Sequence, residues 1–511
     1  MIDDKNELEQ NKRKSGQGQG ASRGVGNRSE SDRAPPDKRS VPEHIGMREV
    51  VDLAWPITVS MLSFTAMGVA DTLFVSRLGT EPLAAVGMAV STTFLILAFG
   101  MGLMGGVKVA VAQATGADKA DVAKVLGWQG LWVAAAVGGL LACLAPLGPS
   151  IFGLMGGEGD VKQMANLYFV IRVLGAPLTF GVLALKGWFD GTGDTKTPMK
   201  ANLLANGLNI ALDPLFIFGW GPIPALGVGG AAAATVIAIT VALVFVAWRA
   251  RPHLGAVESR RPDRDLLAEI WNLGSPMGVR QLLGVGAWVV LISVLARVGA
   301  IDLAAHVMVI RIVSVSFLPG YAISEAASVL VGQAVGAGNA MAARQAWKHS
   351  TVLGTAIMAF FGVIFVVAPE PIIAVFGAEP EVAKLGVTLM MVAAGFQVFD
   401  AIAMVGMGAL NGAGDTRFTM VTSVLAAWFL QLPVTYTLAV PLGLGAVGAW
   451  IGLMVEIAGL AVICLWRIRG DAWLERAAPI VAGDEELEAI VARSSGEVPA
   501  LANSANEAPA A

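Results

Sequence analysis

Long apolar segments recur along this chain of 511 residues, and each is long enough to cross a lipid bilayer. An α-helix rises about 1.5 Å per residue, so about 20 residues span the roughly 30 Å hydrocarbon layer. Charged residues make up 14% of the chain, whereas soluble domains contain about 25%. The pattern predicts an all-α polytopic membrane protein with twelve spans, at 50–76, 83–113, 123–146, 163–188, 198–219, 226–248, 270–296, 303–334, 350–368, 385–410, 418–440 and 446–466.

The charges between and beyond these spans predict how the chain is divided. Residues 1–47 are polar without apolar periodicity, which is typical of a disordered tail, and the acidic, Ala-rich residues 469–511 predict a second, mostly disordered one. An Arg-rich linker at 250–268 separates an N-lobe at 48–249 (spans 1–6) from a C-lobe at 269–468 (spans 7–12). Basic residues concentrate in the loops on the side of the termini, so the positive-inside rule predicts that both termini are cytoplasmic.

The sequence also repeats itself at an offset of 220 residues. The matching pairs are Pro56 and Pro276, Arg77 and Arg297, Gln113 and Gln333, and Gly116 and Gly336. The loop GTGDT at 191–195 then recurs as GAGDT at 412–416, at an offset of 221. We infer a duplicated set of six helices, hence two pseudo-symmetric six-helix bundles. Because each half has an even number of spans, both share one orientation, a plan typical of secondary transporters with the substrate path between the lobes.

Two acids stand alone inside predicted spans of the N-lobe. Asp71 is the single charge of WPITVSMLSFTAMGVADTLF, and Asp213 is the only charge across 201–248. A charged side chain in the centre of such a helix costs about 2.5–3.5 kcal/mol on insertion scales, so each acid predicts a functional site. Asn206 and Asn209 precede Asp213 at helical spacing and place two amides on its face. A polar seam that holds helices together is the alternative interpretation.

Pro56 lies fifteen residues before Asp71 and predicts a hinge in the first span. An acid in such a helix could release a proton on one side of the membrane and rebind it from the other. The C-lobe has lone acids of its own, Asp400 and Glu325, which are secondary candidates that could equally pair with a Gln or Ser. Lys108 is expected to extend its side chain to the nearby helix end.

Motifs of other protein classes are absent from the sequence. The histidines at 44, 253, 306 and 349 lack metal-ligand spacing, so we expect no metal site and no enzymatic centre. GTGDT and GAGDT lack the phosphate-binding patterns and are interpreted as turns whose Asp and Thr cap the next helix. We therefore expect no nucleotide, no nucleic-acid partner and no cofactor, and any pumping must draw on an H⁺ or Na⁺ gradient.

These features resemble the multidrug and toxic compound extrusion (MATE) family across about residues 48–467. The motifs that carry the resemblance are MGVADTLFVSRLGTEPLAAVG, VGQAVGAGN, GWFDGTGDTKTP and NGLNIALDPLF. YFVIRVLGAP and GWFDGTGDT are most similar to the branch typified by DNA-damage-inducible protein F. The resemblance implies two six-helix bundles facing each other in a V, which rock between outward- and inward-open states. It also implies export of organic cations and other amphiphiles in exchange for H⁺ or Na⁺.

The resemblance further implies roles for four N-lobe residues. Asp71 would be the gating acid of the first span, and Asn209 and Asp213 would be its polar partners on the fifth. Tyr168 on the fourth span would join the same network.

Three positions bear on the coupling ion. Another branch of the family has a Glu on the seventh span, where this chain has Gly284, whereas that branch's acid on the tenth span corresponds to Asp400. We therefore expect an incomplete cation site in the C-lobe, which favours coupling through the N-lobe by H⁺. Ala231 stands where some members have a Thr, so the N-lobe site is expected to lack one polar group.

The leading hypothesis is an inner-membrane H⁺-coupled exporter of amphipathic, cationic small molecules. The alternatives are a flippase for lipid-linked substrates, a dedicated metabolite exporter of the same superfamily, a lipid-modifying membrane enzyme and a channel.

Overall fold

The computed structural model describes residues 44–156, 158–222, 224–255 and 260–475. The tails predicted at 1–47 and 469–511 lie almost entirely outside the described residues, as do residues 256–259 of the predicted linker.

The described residues of the first half of the chain form eight helices. They are α1 (Met47–Ser76), α2 (Thr80–Gly116), α3 (Ala120–Ala142), α4 (Gly148–Leu154), α5 (Gly159–Leu174), α6 (Ala176–Gly191), α7 (Lys196–Phe218) and α8 (Gly227–Leu254). A 3₁₀ turn at Ala145–Leu147 joins α3 to α4, which together form the third span. The pair α5 and α6 forms the fourth span, so α7 is the fifth.

The second half, among the described residues, contains nine. They are α9 (Arg264–Val298), α10 (Ala300–Gly336), α11 (Ala340–Val367), α12 (Pro369–Ala374), α13 (Pro380–Gly412), α14 (Thr416–Leu425), α15 (Leu432–Ala439), α16 (Gly445–Arg469) and α17 (Ala472–Glu475). A π-helical stretch, Ala426–Gln431, joins α14 to α15 within the eleventh span. Eleven described segments are long and apolar enough to cross a membrane, and the pair α5 and α6 makes a twelfth. The predicted all-α fold with twelve spans is confirmed.

The fourth span departs from the single helix predicted at 163–188. Its two parts, α5 and α6, are bent by 45°. Pro177 lies in the first turn of α6, directly after Gly175 and Ala176. Proline lacks a backbone N–H and its ring collides with the preceding turn, so the helix cannot run straight through this point.

Two other prolines lie inside continuous helices. Pro56 is buried within α1, and its carbonyl accepts a hydrogen bond from Ser60 Oγ at 3.0 Å. The hinge expected at Pro56 stays a prediction, because α1 is unbroken here. Pro214 lies within α7, one residue after Asp213, and leaves the Ile210 carbonyl without its helical donor.

The helices that flank the predicted linker are longer than the sequence pattern indicated. α8 continues to Leu254, and α9 begins at Arg264. Asp263 starts α9 as its N-cap, and its carboxylate accepts from the backbone N–H groups of Asp265 and Leu266 at 3.0 Å each. The last turns of α8, which contain Arg249 and Arg251, thus extend the helix beyond its apolar part.

The two halves meet through reciprocal hydrogen bonds at one end of the molecule. Gln113 Nε2 at the end of α2 donates to the carbonyl of Gly412 at 3.0 Å. Gln333 Nε2 at the end of α10 donates to the carbonyl of Gly191 at 2.9 Å. Gln113 and Gln333 are repeat equivalents, as are Gly191 and Gly412. The duplication found in the sequence is thus expressed as a two-fold contact.

Two further repeat equivalents complete this contact. A Cβ atom on Gly116 would collide with the backbone of Gln333, and one on Gly336 would collide with the backbone of Gln113. Only glycine allows the ends of α2 and α10 to approach so closely. We call these six residues the inter-lobe lock: Gln113, Gly116, Gly191, Gln333, Gly336 and Gly412.

Candidate functional site

The two lone acids of the N-lobe meet in the folded chain. The carboxyl groups of Asp71 on α1 and Asp213 on α7 lie within interaction range of each other. Asp213 is fully buried, and Asp71 is partly so. A hydrogen bond between two carboxyl groups requires a proton on one of them, so the two acids can bond to each other when they share a single proton. Residues 142 positions apart in sequence thus form one acid site.

Amide and hydroxyl groups surround the acid pair. Asn209 Nδ2 lies 3.4 Å from Asp213 Oδ1 and 3.4 Å from Thr235 Oγ1, and Thr235 Oγ1 donates to the Ala231 carbonyl at 3.0 Å. The polar group expected to be missing because of Ala231 is therefore supplied one turn later by Thr235. The sequence pattern contained this signal, because Thr235 lies on the face of α8 that carries Ala231.

Asn206 lies farther along the same face of α7 and has a different partner. Its Nδ2 donates to Ser63 Oγ on α1 at 2.7 Å, and Ser63 Oγ donates to the carbonyl of Ser60 at 2.8 Å. Asn206 therefore joins α7 to α1 about two turns away from the acid pair.

Tyr168 and Arg172 on α5 complete the N-lobe cluster. Tyr168 is 7% exposed and lies within electrostatic range of Arg172, Asp71 and Asp213. Arg172 also acts on Asp71, and its Nη1 is buried with no hydrogen-bond partner among the described residues. The structure thus brings together Tyr168, Asp71, Asn209 and Asp213 and adds a cation, Arg172, from the fourth span.

Several oxygen atoms of this cluster are free to accept a hydrogen bond. Asp71 Oδ1, Asp213 Oδ2 and Asn209 Oδ1 are buried, and no amide, hydroxyl or basic group of the described chain donates to them. A buried acceptor without a donor carries a free-energy penalty of about 1–3 kcal/mol. A proton or a small cation shared among these oxygens would relieve that penalty, so the arrangement suits either coupling ion.

A second candidate site is a cavity of about 620 Å³ between the lobes. Residues of α2, α6, α9, α10, α13 and α16 line it, and several of them are methionines or small residues. Asp71 and Asp213 are not among its lining residues, whereas both secondary candidates, Glu325 and Asp400, are. Asn411, the residue before Gly412 of the inter-lobe lock, also lines it, so the cavity lies directly behind the lock.

Lys108 and Glu325 form an ion pair across this cavity. Lys108 Nζ on α2 lies 2.8 Å from Glu325 Oε2 on α10, and the two side chains are 7% and 26% exposed. The expectation that Lys108 extends to the helix end is wrong, because a carboxylate from the other lobe neutralises it in place. The partner of Glu325 is therefore a lysine and not the Gln or Ser considered from the sequence.

Other charges surround this pair. Asp190 is buried and interacts electrostatically with Lys186 and Lys108, while Arg280 lies within range of Glu325. Asp190, Lys186 and Arg280 all line the cavity. Asp190 and Lys186 are not lone charges in the sequence, because their neighbourhood in the chain is rich in charge.

Two further acids line the cavity. Asp400 on α13 and Glu456 on α16 both line it and interact with each other. No basic side chain of the part of the chain that the structure describes acts on either of them. Glu456 was missed, although it is the only charge between Arg417 and Arg467, the same signal that identified the other lone acids.

The two GxGDT loops differ in structure. Asp194 accepts from the backbone N–H groups of Lys196 and Thr197 at 3.1 and 3.0 Å, so it caps α7 as its sequence predicts. Asp415 instead accepts from Arg467 Nε at 2.8 Å, which ties the second loop to α16. The capping interpretation therefore describes the first loop, and for the second it is wrong.

The histidine in the membrane region has a structural partner. His306 Nδ1 accepts from Trp450 Nε1 at 3.1 Å in the interior of the C-lobe. Among the described residues, no group of three or more His, Cys, Asp or Glu side chains is placed to hold a metal ion.

These features define a polytopic membrane protein of twelve spans with an internal acid site in one half and a charged cavity between the halves. The MatE family model matches residues 56–215 and 276–437, and both matches begin at the repeat-related prolines. The chain belongs to the MatE family.

Curated relatives match over nearly their whole length. The chain is 28% identical over 445 residues to "Probable multidrug resistance protein NorM" of Thermotoga maritima, which covers 86% of this chain and 95% of that protein. It is 31% identical over 436 residues to "Multidrug resistance protein NorM" of Burkholderia vietnamiensis, with 82% and 94% covered. The closer similarity to the DNA-damage-inducible protein F branch stays a prediction.

Solved structures share the fold. The outward-facing conformation of a multidrug resistance MATE family transporter superposes with a TM-score of 0.79 at 24% identity, over 86% of this chain and 99% of that one. A MATE structure in the bent conformation superposes with a TM-score of 0.77 at 25% identity, over 84% and 97%.

Proposed function

We propose that this chain is a secondary active antiporter that exports amphipathic, cationic small molecules in exchange for H⁺, with Na⁺ as the alternative coupling ion. Relatives named as multidrug resistance proteins support substrates of this class. The observation that carries the proposal is the contact between Asp71 and Asp213, two acids that different spans bring together in the membrane interior.

The acid pair acts as a proton-operated clasp between α1 and α7. With one proton, the hydrogen bond between Asp71 and Asp213 joins the two helices. Without it, two adjacent negative charges repel each other and attract a cation. A proton and a cationic substrate therefore compete for the same acids, which is what exchange requires. Pro56 would let α1 bend when the clasp opens.

The inter-lobe lock supports alternating access. The ends of α2 and α10 that carry it lead into Lys119 and Arg344, so the positive-inside rule places the lock on the cytoplasmic side. In this conformation the cytoplasmic end is closed, and the cavity lies behind it. Opening the lock while the opposite ends of the bundles approach would expose the cavity to the cytoplasm. We place the protein in the cell membrane with both termini in the cytoplasm.

The charges of the cavity favour cationic cargo over the alternatives. Export of a lipid-linked anion, or of an anionic metabolite, would need a strongly basic groove. The cavity has three basic lining residues, of which Lys108 is paired with Glu325, and four acidic ones. Asp400 and Glu456 face it without a basic partner among the described residues and would receive the cationic group of a substrate.

The test is efflux of a fluorescent organic cation from proteoliposomes under H⁺ or Na⁺ gradients imposed separately. Asp71→Asn and Asp213→Asn should each abolish gradient-driven exchange, because an amide cannot give up the proton that the clasp requires. Asp52→Asn is the matched control, since Asp52 is an exposed acid on the same helix as Asp71 and should leave exchange unchanged.

Melting temperatures of the purified variants verify that they fold. Normal gradient-driven efflux in both Asp71→Asn and Asp213→Asn would refute the coupling mechanism. A response to Na⁺ alone in the unmodified protein would replace H⁺ by Na⁺ as the coupling ion.

A further inference from the structure

A groove of about 670 Å³ lies on the outer side of the N-lobe, away from both candidate sites. It is formed between α3 and the end of α8, and its principal lining residues are Trp128, Leu131, Ala247, Trp248, Arg251 and Arg260. The transport mechanism proposed above uses none of them.

Hydrogen bonds build the wall of this groove. Trp128 Nε1 donates to the Leu254 carbonyl at 3.0 Å, and Trp132 Nε1 donates to the Arg260 carbonyl at 2.9 Å. The guanidinium group of Arg260 lies 5.0 Å from the centre of the Trp128 ring, in a cation–π contact. The chain that leads into α9 is thereby fixed against α3.

Gln129 on α3 also holds the segment that leads into α9. Its side chain is buried, donates to the Arg261 carbonyl at 3.0 Å and accepts from the backbone N–H of Asp263 at 3.0 Å. The wall is thus held by four side-chain hydrogen bonds to backbone groups, so its arginine is presented on a fixed support.

The residues in and beside the groove are of the types found where the hydrocarbon layer meets the lipid headgroups. Trp248 is 61% exposed and Trp132 is 46% exposed, on a surface that faces away from the protein interior. Tryptophan is enriched at this depth because its ring is amphipathic. Arg251 and Arg260 are exposed above the apolar walls, and neither forms an ion pair with a described acid.

We propose that this groove binds an anionic phospholipid of the surrounding leaflet. The phosphate of the headgroup lies between Arg251 and Arg260, and an acyl chain lies along Leu131, Ala247 and Trp248. Charge complementarity selects the headgroup, since basic pockets between transmembrane helices at this depth attract anionic lipids. The groove shares no lining residue with the central cavity and contains neither acid of the pair.

The test compares two lipids with identical acyl chains. The full-length protein in detergent is titrated with phosphatidylglycerol or phosphatidylcholine, and native mass spectrometry counts the lipids retained. The unmodified protein should retain one phosphatidylglycerol at concentrations where phosphatidylcholine is lost. Arg251→Gln and Arg260→Gln should each lower this preference by about fivefold, the contribution of one basic residue near an anionic headgroup.

Two further variants separate charge from apolar contact. Arg469→Gln removes an exposed arginine at the end of α16 that does not line the groove, and it should leave the preference unchanged. Trp248→Ser should weaken retention of both lipids alike, because it removes apolar wall and no charge. Melting temperatures confirm folding.

Several outcomes would overturn the proposal. They are no preference in the unmodified protein, a full preference in the double variant of Arg251 and Arg260, and an equal loss in Arg469→Gln. Displacement of the lipid by inorganic phosphate at equal concentration would also overturn it, because it would identify a simple anion site.

Discussion

The two halves of this transporter are alike where they touch and different where they carry acids. At the inter-lobe lock, Gln113 and Gln333 make the same bond to the other half, and Gly116 and Gly336 make the same close approach. In the interior, the repeat position of Asp71 is Leu291, which is buried in the apolar core of the C-lobe. Duplication therefore preserved the surface that must close, while the acid chemistry diverged.

The difference has a physical basis. In a contact between two halves related by a pseudo-two-fold axis, each repeat-equivalent residue packs against the other half in the same way. A change in one copy therefore has to fit the other copy as well. An ion site inside one bundle has no such constraint. The C-lobe has Asp400 and Glu456 on α13 and α16, facing the shared cavity, instead of an acid pair buried between its first and fifth spans.

Breaking the symmetric contact should have the largest effect on the balance between closed and open conformations. Gly116→Ala and Gly336→Ala each place a Cβ against the backbone of the opposite glutamine. Overpacking costs about 1–3 kcal/mol, so the ratio of closed to open conformations should fall by roughly fivefold or more. Distances between spin labels on Ala120→Cys and Ala340→Cys, in a Cys143→Ser background, would report the opening as a longer distance.

Gly139→Ala is the matched control for the lock. A Cβ on Gly139 meets nothing within 4 Å, so this helical glycine should accept alanine with no change in the label distances. The two lock variants should agree with each other, because their contacts are reciprocal. If only one of them opened the lock, the two-fold description of the contact would be wrong.

Breaking the ion pair that joins the halves should affect the stability of the fold rather than the opening of the lock. Glu325→Gln leaves the buried Lys108 without the carboxylate with which it is paired. Breaking a buried pair costs about 3–5 kcal/mol, and the partial exposure of Glu325 places the expected loss near the lower figure. Thermal or denaturant unfolding in detergent would measure it.

A second substitution distinguishes pairing from a general loss of polarity. Lys108→Met combined with Glu325→Gln should recover most of the lost stability, because no unpaired charge remains. Losses that simply add in the double variant would show that Lys108 and Glu325 do not depend on each other.

The sequence predicted the fold well because the signals were long and repeated. Each span extends over about twenty apolar residues, and the offset of 220 relates the lock residues directly. The bend of the fourth span was visible in principle, since Pro177 follows Gly175, but its 45° angle depends on packing against neighbouring helices.

The acids of the candidate sites were harder to assign than to find. A lone charge in an apolar span identifies a residue but not its partner, so the residues alone identified Asp71 and Asp213, and only the family resemblance paired them. Lys108 and Glu325 come from different halves, and a pairing across 217 positions leaves no local trace. Glu456 carried the same signal and was overlooked.

The smallest expected effect comes from making the C-lobe more acidic. Gly284 lines the cavity, and a Cβ there would meet nothing within 4 Å, so Gly284→Glu can be accommodated within α9. It would add a further carboxylate to the cavity that Asp400 and Glu456 also line. In a water-accessible cavity one more charge contributes at most about 1 kcal/mol, so a fluorescent cation should bind up to roughly fivefold more tightly. Gly284→Gln, of similar size, should leave the affinity unchanged, and an equal gain in both variants would show that side-chain volume rather than charge improves binding.

A response to an Na⁺ gradient that appeared only in Gly284→Glu would show that this one glycine keeps the second half from holding a coupling ion. The asymmetry between the halves could then be reduced by a single side chain.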